Sequence, residues 1–317
     1  RDAQESRGLG DVYKRQPYYH VVFTVPEELN SIIYSNQKLL YDALYHAASA
    51  TLNELAKDAK YLGANIGYIC ILHTWGSAMN YHPHIHTIVL GGGLDDENKW
   101  KETGGKFFLP YGVISKVFRG KYLDELKSLW NDSKLKFHGT AEKYQNSYRF
   151  KELLDKCYEK NWVTYCKETF NGAQSVINYL GKYTHRIAIS NHRIKSMTDT
   201  TVTYVVKDYK NEGCWKEKTI SGEEFIRRFM MHVPPKRFVR IRHYGLLSCR
   251  NKRKKITHCR NLLGCKKYIS TLKNLNAVEM IRVLYHIDVC KCSSCGGNMV
   301  SPRKDKYSSS FRAHMRC

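Results

Sequence analysis

The sequence lacks several features that would assign it to a common class of protein. No apolar run approaches the roughly 18 residues that a membrane helix needs, and the start of the chain carries no secretory signal. There is no GxxxxGKS or GxxxxGKT phosphate loop and no visible internal repeat. Acidic residues are scarce, since 29 Asp and Glu stand against 52 Lys and Arg. These absences predict a soluble chain and argue against a helicase domain.

The excess of basic residues is the first indication of function. The 317 residues carry a formal net charge of +23, and 42% of them are hydrophobic, which is enough for a substantial core. A positive field of this size favours a polyanionic partner, and nucleic acid is the abundant one in cells. The alternative is a cationic surface without a specific partner.

The eleven cysteines are scattered until three of them fall close together near the end of the chain. Without an export signal, free thiols or metal ligands are expected rather than disulfides. Cys292 and Cys295 form a CxxC followed by two glycines, as in a zinc knuckle. Tetrahedral zinc needs four ligands, and His314 with Cys317, or Cys290, would supply others. The alternative is a set of reduced thiols in a frayed tail.

The order of predicted elements indicates an α+β fold. Tyr18–Val25 and Ile66–Thr74 are typical of strands, with a long amphipathic helix between them that ends near Ala59. A third strand, His82–Leu90, follows a short turn. Strand, helix, strand, strand predicts an antiparallel central sheet flanked by helices, ferredoxin-like or a relative of that fold.

The rest of the chain continues this mixture and ends in a basic extension. We expect residues 1–16, which have no periodicity, to be a disordered or non-native leader, 17–245 to form the main domain, and 246–317 to form a basic tail. The remaining predicted helices are 113–130, 141–156, 171–183 and 222–231, and the remaining predicted strands are 186–190, 202–207, 214–220 and 238–243.

The most informative segment is the strand that contains His82, His84 and His86. Side chains alternate along a strand, so these three imidazoles project from one face, with neighbours about 7 Å apart. Two imidazoles at that spacing can bind one cation and leave coordination positions open. A third protein ligand is then required, and His73 at the end of the preceding strand is preferred over Gln174 or His82.

A second constellation is Tyr179 and Tyr183, which lie one turn apart on the same face of a predicted helix. A phenol is a poor nucleophile at its usual pKa of about 10, but beside a metal-polarised phosphodiester it can attack phosphorus. The chain has 23 tyrosines, so such a pair also arises by chance. Lys182 and Arg186 flank the pair and either neutralise phosphate charge or are simply exposed.

Together these motifs resemble a known family. The segments LHTWG (72–76), HPHIH (82–86), NYLGKYTHRIAISNHR (178–193) and VPPKRFVRIRHYGLL (233–247) are similar to the two-tyrosine HUH rolling-circle transposases of the insertion-sequence ninety-one type. The resemblance covers roughly residues 17–250. It implies an HUH endonuclease fold, with His84 and His86 as metal ligands and Tyr179 and Tyr183 as nucleophiles.

The resemblance also implies a mechanism and partners. Mg²⁺ or Mn²⁺ would polarise a phosphate of single-stranded DNA at a hairpin end of a mobile element. One tyrosine would form a 5′-phosphotyrosine, and the second would permit strand exchange without external energy. The cysteine-rich zinc domain that usually precedes this domain in the family is missing from the sequence, which suggests truncation.

A basic segment near residue 245 is predicted to contact DNA. Positive side chains follow a phosphate backbone, and interleaved aromatic rings stack on unpaired bases. A merely solvated run of charge is the alternative. The candidate cations are Lys236, Arg237, Arg240, Arg242, Lys252, Arg253 and Lys254.

Three other functions remain open at this point. A plasmid replication initiator or relaxase would use the same chemistry, a non-catalytic DNA-binding remnant would use none, and a hydrolytic metalloenzyme would form no protein–DNA bond. Under the leading hypothesis the protein is cytoplasmic, associated with the nucleoid and without a membrane partner.

Overall fold

A computed structural model describes residues 18–103, 109–170, 188–208, 213–250, 252–264, 275–292 and 294–299. The chain divides into two compact units, one of residues 9–266 and one that groups residues 1–8 with residues 267–317. None of the described helices combines the length and apolar composition that a membrane crossing requires.

The described residues of the larger unit contain two antiparallel sheets. The central sheet has the order β5-β1-β3-β2-β9, with β4 added beside β3, and the smaller sheet has the order β6-β7-β8. The strands are β1 (Tyr18–Thr24), β2 (Asn65–Trp75), β3 (Tyr81–Leu94), β4 (Trp100–Glu102), β5 (Thr164–Phe170), β6 (Ile194–Met197), β7 (Thr201–Asp208), β8 (Cys214–Ser221) and β9 (Ile241–Gly245).

Helices flank these sheets, and a further helix lies in the smaller unit. The predicted α+β fold with an antiparallel central sheet flanked by helices is confirmed. The helices are α1 (Asn30–Ser35), α2 (Gln37–Lys57), α3 (Tyr111–Asn131), α4 (Ser147–Glu159), α5 (Gly222–Met230), α6 (Lys252–Leu262) and, in the smaller unit, α7 (Ala277–Tyr285).

The central sheet has two different faces because side chains alternate along each strand. One face, which includes Phe23, Leu72 and Ile85, packs against α1 to α4 in the main hydrophobic core. The opposite face carries Ile69 and Ile88 in a second cluster, which also contains Cys259 of α6. The remainder of this second face carries the histidines.

The turn between β2 and β3 is held by residues of the smaller sheet and of the segments directly before and after it. Tyr204 Oη donates to Ala78 O at 3.2 Å, and the guanidinium of Arg193 donates to Ser77 O. His232 Nε2 donates to Met79 O at 3.2 Å. The ends of both histidine-bearing strands are therefore fixed from outside the central sheet.

Several predicted elements differ from the structure. The helix expected before Ala59 is interrupted at Asn36, which has φ −132° and whose side-chain amide bonds both Lys136 O at 2.6 Å and Lys136 N at 2.7 Å. The strand expected at 238–243 begins only at Ile241, and β5 was not predicted at all. Residues 188–190 of the strand expected at 186–190 are not in a strand, and the remaining two lie outside the described residues.

Candidate metal centre

Register brings three of the predicted histidines together. His73 on β2 lies directly opposite His84 on β3, and Ile71 lies opposite His86. Because His73 and Ile71 share a face with His84 and His86, one imidazole from β2 meets two from β3. In the part of the chain that the structure describes, these three are the one group of potential metal ligands whose donor atoms all lie within 4.8 Å of one another.

The ligand atoms of β3 face each other closely. His84 Nε2 lies 3.1 Å from His86 Nε2, and the ring centroid of His73 lies 4.6 Å from that of His86. An octahedral ion with ligand atoms at about 2.1 Å separates adjacent ligands by about 3.0 Å. The spacing of these two nitrogens therefore fits two neighbouring ligands of one divalent cation.

Hydrogen bonds and burial prepare the imidazoles for a cation. His84 Nδ1 donates to the carbonyl oxygen of His82 at 2.7 Å, which leaves Nε2 of a neutral His84 ring with its lone pair free. Burial lowers the pKa of His84 to about 4, with a smaller contribution from His82, and it lowers the pKa of His86 further below its usual range. Both rings are therefore neutral near pH 7, as metal ligands must be.

Of the three candidates for the third ligand, His73 joins the cluster. It is only 3% exposed, and its ring stacks on Trp75 at 4.6 Å. His82 offers its backbone carbonyl to His84 and is absent from the group of converging donor atoms among the described residues. Gln174 lies outside the described residues.

His20 on β1 is a member of this cluster that the sequence analysis missed. Its Nε2 lies 2.9 Å from Nδ1 of His86, and the two rings are nearly coplanar, with an interplanar angle of 9° and centroids 5.1 Å apart. His20 is 9% exposed, and burial lowers its pKa to about 4. Alternation along β1 could have found it. If β1 is placed beside β3, His20 lies on the same face of the sheet as His86.

The predicted tyrosine nucleophiles, Tyr179 and Tyr183, lie outside the described residues, as do Lys182 and Arg186. The described chain reaches Phe170 on β5, which is paired with Tyr18 of β1. It resumes at Ala188, which is buried in one cluster with Met79 of the β2–β3 turn.

The predicted DNA-binding cations have different surroundings. Lys236, Arg237 and Lys254 are exposed. The guanidinium of Arg242 instead pairs with Asp42 and lies 4.0 Å from the centroid of the Tyr45 ring, so it is engaged within the fold.

The remaining candidate cations are less accessible or are described only in part. Arg240 is half-buried, and its guanidinium is 6.0 Å from the Trp75 ring. Lys252 is half-buried at the start of α6. Arg253 lies on the same helix, with its side chain outside the described part of the chain.

The cysteine cluster forms a short hairpin in the smaller unit. Cys292 N donates to Gly297 O at 2.8 Å, and Gly296 N donates to Cys292 O at 2.9 Å. Hydrogen bonds from the backbone N–H groups of Cys295 and Ser294 lower the pKa of the Cys292 thiol. Cys290 and Cys295 are exposed, whereas His314 and Cys317 lie outside the described residues.

Comparison with known proteins identifies the family. The Y2_Tnp family, described as "Putative transposase", matches residues 67–255. The chain is 41% identical over 248 residues to the "Putative transposase y4qJ" of Sinorhizobium fredii, an alignment that covers 78% of this chain and 62% of that relative. It is 29% identical over 287 residues to the transposase for insertion sequence element IS801 of Pseudomonas savastanoi pv. phaseolicola, with coverage of 90% and 67%. The chain thus spans about two thirds of the length of these relatives.

Two solved structures of the conjugative relaxase TrwC in complex with oriT DNA also match. The copper-bound form gives a TM-score of 0.27 at 14% identity and covers 35% of this chain and 42% of that one. The metal-bound form gives 0.28 at 12% identity and covers 54% and 72%. Scores this low describe only a partial overlap. The family match, in contrast, covers more than half of the chain and includes His73, His84 and His86, so the protein belongs to the Y2_Tnp family of transposases.

Proposed function

We propose that this protein is a transposase that nicks and rejoins single-stranded DNA at the hairpin ends of a mobile element. The observation that carries this proposal is the convergence of His73, His84 and His86 within the region that matches the transposase family. A site of three converging imidazoles with coordination positions left open suits a cation that must also contact a substrate.

His73, His84 and His86 are the residues that would hold Mg²⁺ or Mn²⁺. The bound ion would supply positive charge beside a phosphate oxygen and so make phosphorus more electrophilic. Cys292 and Cys295, with His314 and Cys317, are proposed to hold a separate structural zinc.

Tyr179 or Tyr183 is proposed to attack the phosphate. The phenol oxygen forms a bond to phosphorus, the bond from phosphorus to the 3′ oxygen breaks, and the phenol proton passes to a base. The 3′ oxygen leaves with a proton as a free hydroxyl, and the part of the strand downstream of the break stays attached through its 5′ phosphate as a phosphotyrosine. Attack by a 3′-hydroxyl on this link reverses the chemistry and rejoins DNA.

Exposed cations near the sheet supply much of the affinity for the strand in this proposal. Lys236, Arg237 and Lys254 are exposed, and Lys182 and Arg186 flank the tyrosines in sequence. Cations of this kind neutralise phosphates without reading bases. DNA binding is therefore expected to survive the removal of the metal ligands.

Covalent trapping tests the proposal. The protein is incubated with Mn²⁺ and labelled single-stranded oligonucleotides taken from the ends of the DNA element that encodes it. An adduct that survives SDS is expected for the wild-type chain and absent from the Tyr179→Phe/Tyr183→Phe double variant. His86→Ala is expected to lose the adduct and retain DNA binding.

Matched substitutions distinguish the site from general damage. Tyr148→Phe changes a tyrosine that is 71% exposed on α4, and His138→Ala changes an exposed histidine. Both are expected to form the adduct at the wild-type level. An adduct in the double tyrosine variant, or full cleavage by His86→Ala, contradicts the assignment. DNA binding with no adduct on any end sequence supports a non-catalytic DNA-binding protein instead.

A further inference from the structure

The hydrogen bonds around His84 and His86 specify which ring nitrogens carry protons. A carbonyl oxygen can only accept, so the 2.7 Å bond between His84 Nδ1 and His82 O places a proton on His84 Nδ1. A neutral His84 then has a bare Nε2. That bare nitrogen lies 3.1 Å from Nε2 of His86.

In the absence of a cation, the contact between the two Nε2 atoms assigns the proton of His86 to Nε2. Two bare nitrogens at 3.1 Å would repel each other, whereas an N–H on His86 Nε2 donates to His84. A neutral His86 then has a bare Nδ1. His20 Nε2 lies 2.9 Å from this atom and donates to it. The three hydrogen bonds therefore form a chain in which His20 donates to His86, His86 donates to His84, and His84 donates to the carbonyl oxygen of His82.

A cation held by His84 and His86 would require one of these bonds to reverse. A ligand nitrogen must be bare, so the proton of a neutral His86 has to move to Nδ1. Nδ1 then donates to His20 Nε2, and the proton of His20 moves to its own Nδ1. Two protons change nitrogen, none is gained or lost, and both rings stay neutral.

We propose that His20 is a positioning residue that sets the tautomer of His86, and that cation binding reverses the direction of the His20–His86 hydrogen bond. The inference rests on the proposed metal site. An imidazole serves as donor in one state and acceptor in the other without moving, because its two nitrogens exchange roles. The ring is fixed in place, since its plane lies within 9° of that of His86 along their hydrogen bond and it packs against the ring of Tyr165 with centroids 5.7 Å apart.

Nitrogen-15 NMR of histidine-labelled protein tests the tautomers directly. The His86 signals are assigned by their disappearance in His86→Gln, and diamagnetic Zn²⁺ serves as the probe ion. The metal-free protein is expected to show His86 with its proton on Nε2, and the Zn²⁺-loaded protein is expected to show it on Nδ1. The proton of His20 should move from Nε2 to Nδ1 at the same time. A purely structural role for His20 would not require this second tautomer change.

Affinity for Mn²⁺, measured by the electron paramagnetic resonance signal of the free ion, gives a second readout. His20→Leu removes the acceptor and is expected to weaken binding about 10- to 100-fold, as removal of an outer partner of a ligand does. His20→Gln keeps an amide that can turn either way and should restore most of the affinity. His138→Leu changes an exposed histidine outside this cluster and should leave affinity close to that of the wild type.

Melting of the metal-free variants, followed by circular dichroism, verifies that each one folds. The inference is overturned if His20→Leu folds and binds Mn²⁺ like the wild type, or if His86 keeps its Nε2 proton when Zn²⁺ is bound. Equal Mn²⁺ binding by the wild type and His86→Gln overturns the metal site together with this inference. A tautomer change without any covalent DNA adduct would leave the inference standing and contradict the nuclease.

Discussion

The two histidines His84 and His86 differ in the hydrogen-bond partner of their ring nitrogens. His84 is oriented by a backbone carbonyl at 2.7 Å, whereas His86 is oriented by the imidazole of His20 at 2.9 Å. A carbonyl acts only as an acceptor, but an imidazole can reverse its role. The two imidazoles from one strand therefore have different kinds of hydrogen-bond partner at Nδ1.

Buried tyrosines show the same dependence on partners, and they yield a prediction about stability. Tyr122 on α3 is fully buried, and its hydroxyl has no hydrogen-bond partner among the described residues. Tyr68 on β2 is also fully buried, but its hydroxyl donates to Ser49 O at 3.2 Å and bonds Asn53 Oδ1 at 3.0 Å. An unsatisfied buried hydroxyl costs about 1–3 kcal/mol, whereas a satisfied one contributes about 1 kcal/mol.

Tyr122→Phe is therefore expected to raise the free energy of unfolding by about 1 kcal/mol, and Tyr68→Phe to lower it by about the same amount. Urea unfolding of metal-free protein measures both. Both substitutions remove one hydroxyl group from an equally buried ring. Changes of opposite sign in the free energy of unfolding would therefore reflect the presence or absence of a hydrogen bond to that hydroxyl. Equal destabilisation by both substitutions would contradict this account.

At the scale of elements, the β2–β3 hairpin connects the histidine cluster to the rest of the larger unit. Its turn is closed by Gly76 N donating to Asn80 O at 3.0 Å. A Cβ added at Gly76 would lie 2.4 Å from Asn80 Oδ1, so a larger residue there would require the Asn80 side chain to move. His232 ties the turn to the segment after α5 by accepting from Thr74 Oγ1 at 3.2 Å and donating to Met79 O.

This pair of hydrogen bonds predicts a pH dependence of stability. Burial lowers the pKa of His232 below its usual value of about 6.5. As pH falls below that value, the unfolded chain binds a proton that the folded chain does not, so the free energy of unfolding decreases. The contribution is complete above the unfolded pKa and is lost progressively on acidification.

His232→Gln retains a donor and an acceptor but cannot titrate, so its stability should fall less steeply between pH 7 and pH 5. The slopes should differ by at most about 1.4 kcal/mol per pH unit, the value for one proton. Urea unfolding at several pH values measures them. Exposed His138→Gln is the matched control and should follow the wild type. Parallel curves for His232→Gln and the wild type would show that the buried ring titrates normally.

The break in the helical segment before residue 59 is also decided at this scale. Propensity and periodicity favour a continuous helix, but the amide of Asn36 is buried and bonds the backbone of Lys136, 100 residues away. Such a long-range bond leaves no periodic signal in the sequence. The same reason explains why β5 was missed, because it is a strand at the edge of the sheet order whose partner is β1.

At the scale of the whole molecule, the net charge of +23 and its distribution matter most. Lys236, Arg237 and Lys254 are exposed, whereas Arg242 is paired with Asp42. Lys116 is exposed on α3, and this helix packs against the face of the central sheet opposite the histidine cluster. Residues that look equivalent in the basic segment should therefore differ in their contribution to DNA binding.

Salt dependence tests this difference. For single strands, the slope of log K against log salt becomes shallower by about 0.7 for each phosphate that the protein no longer neutralises. We expect Lys236→Gln/Arg237→Gln and Lys254→Gln to reduce the slope accordingly, and Lys116→Gln to leave it unchanged. Fluorescence anisotropy with a labelled oligonucleotide at several salt concentrations measures the slopes. A larger change for Lys116→Gln than for Lys254→Gln would place the DNA elsewhere.

The sequence by itself determined the fold class, the family and the shared face of His84 and His86. Alternation along a strand and hydrophobic periodicity are local properties, so they can be read without coordinates. Only the tertiary structure decided that His73 rather than His82 completes the cluster, that His20 contacts His86, and that Arg242 is paired with Asp42. Each of these depends on strand register or on an interaction between distant segments, and neither leaves a periodic trace in the chain.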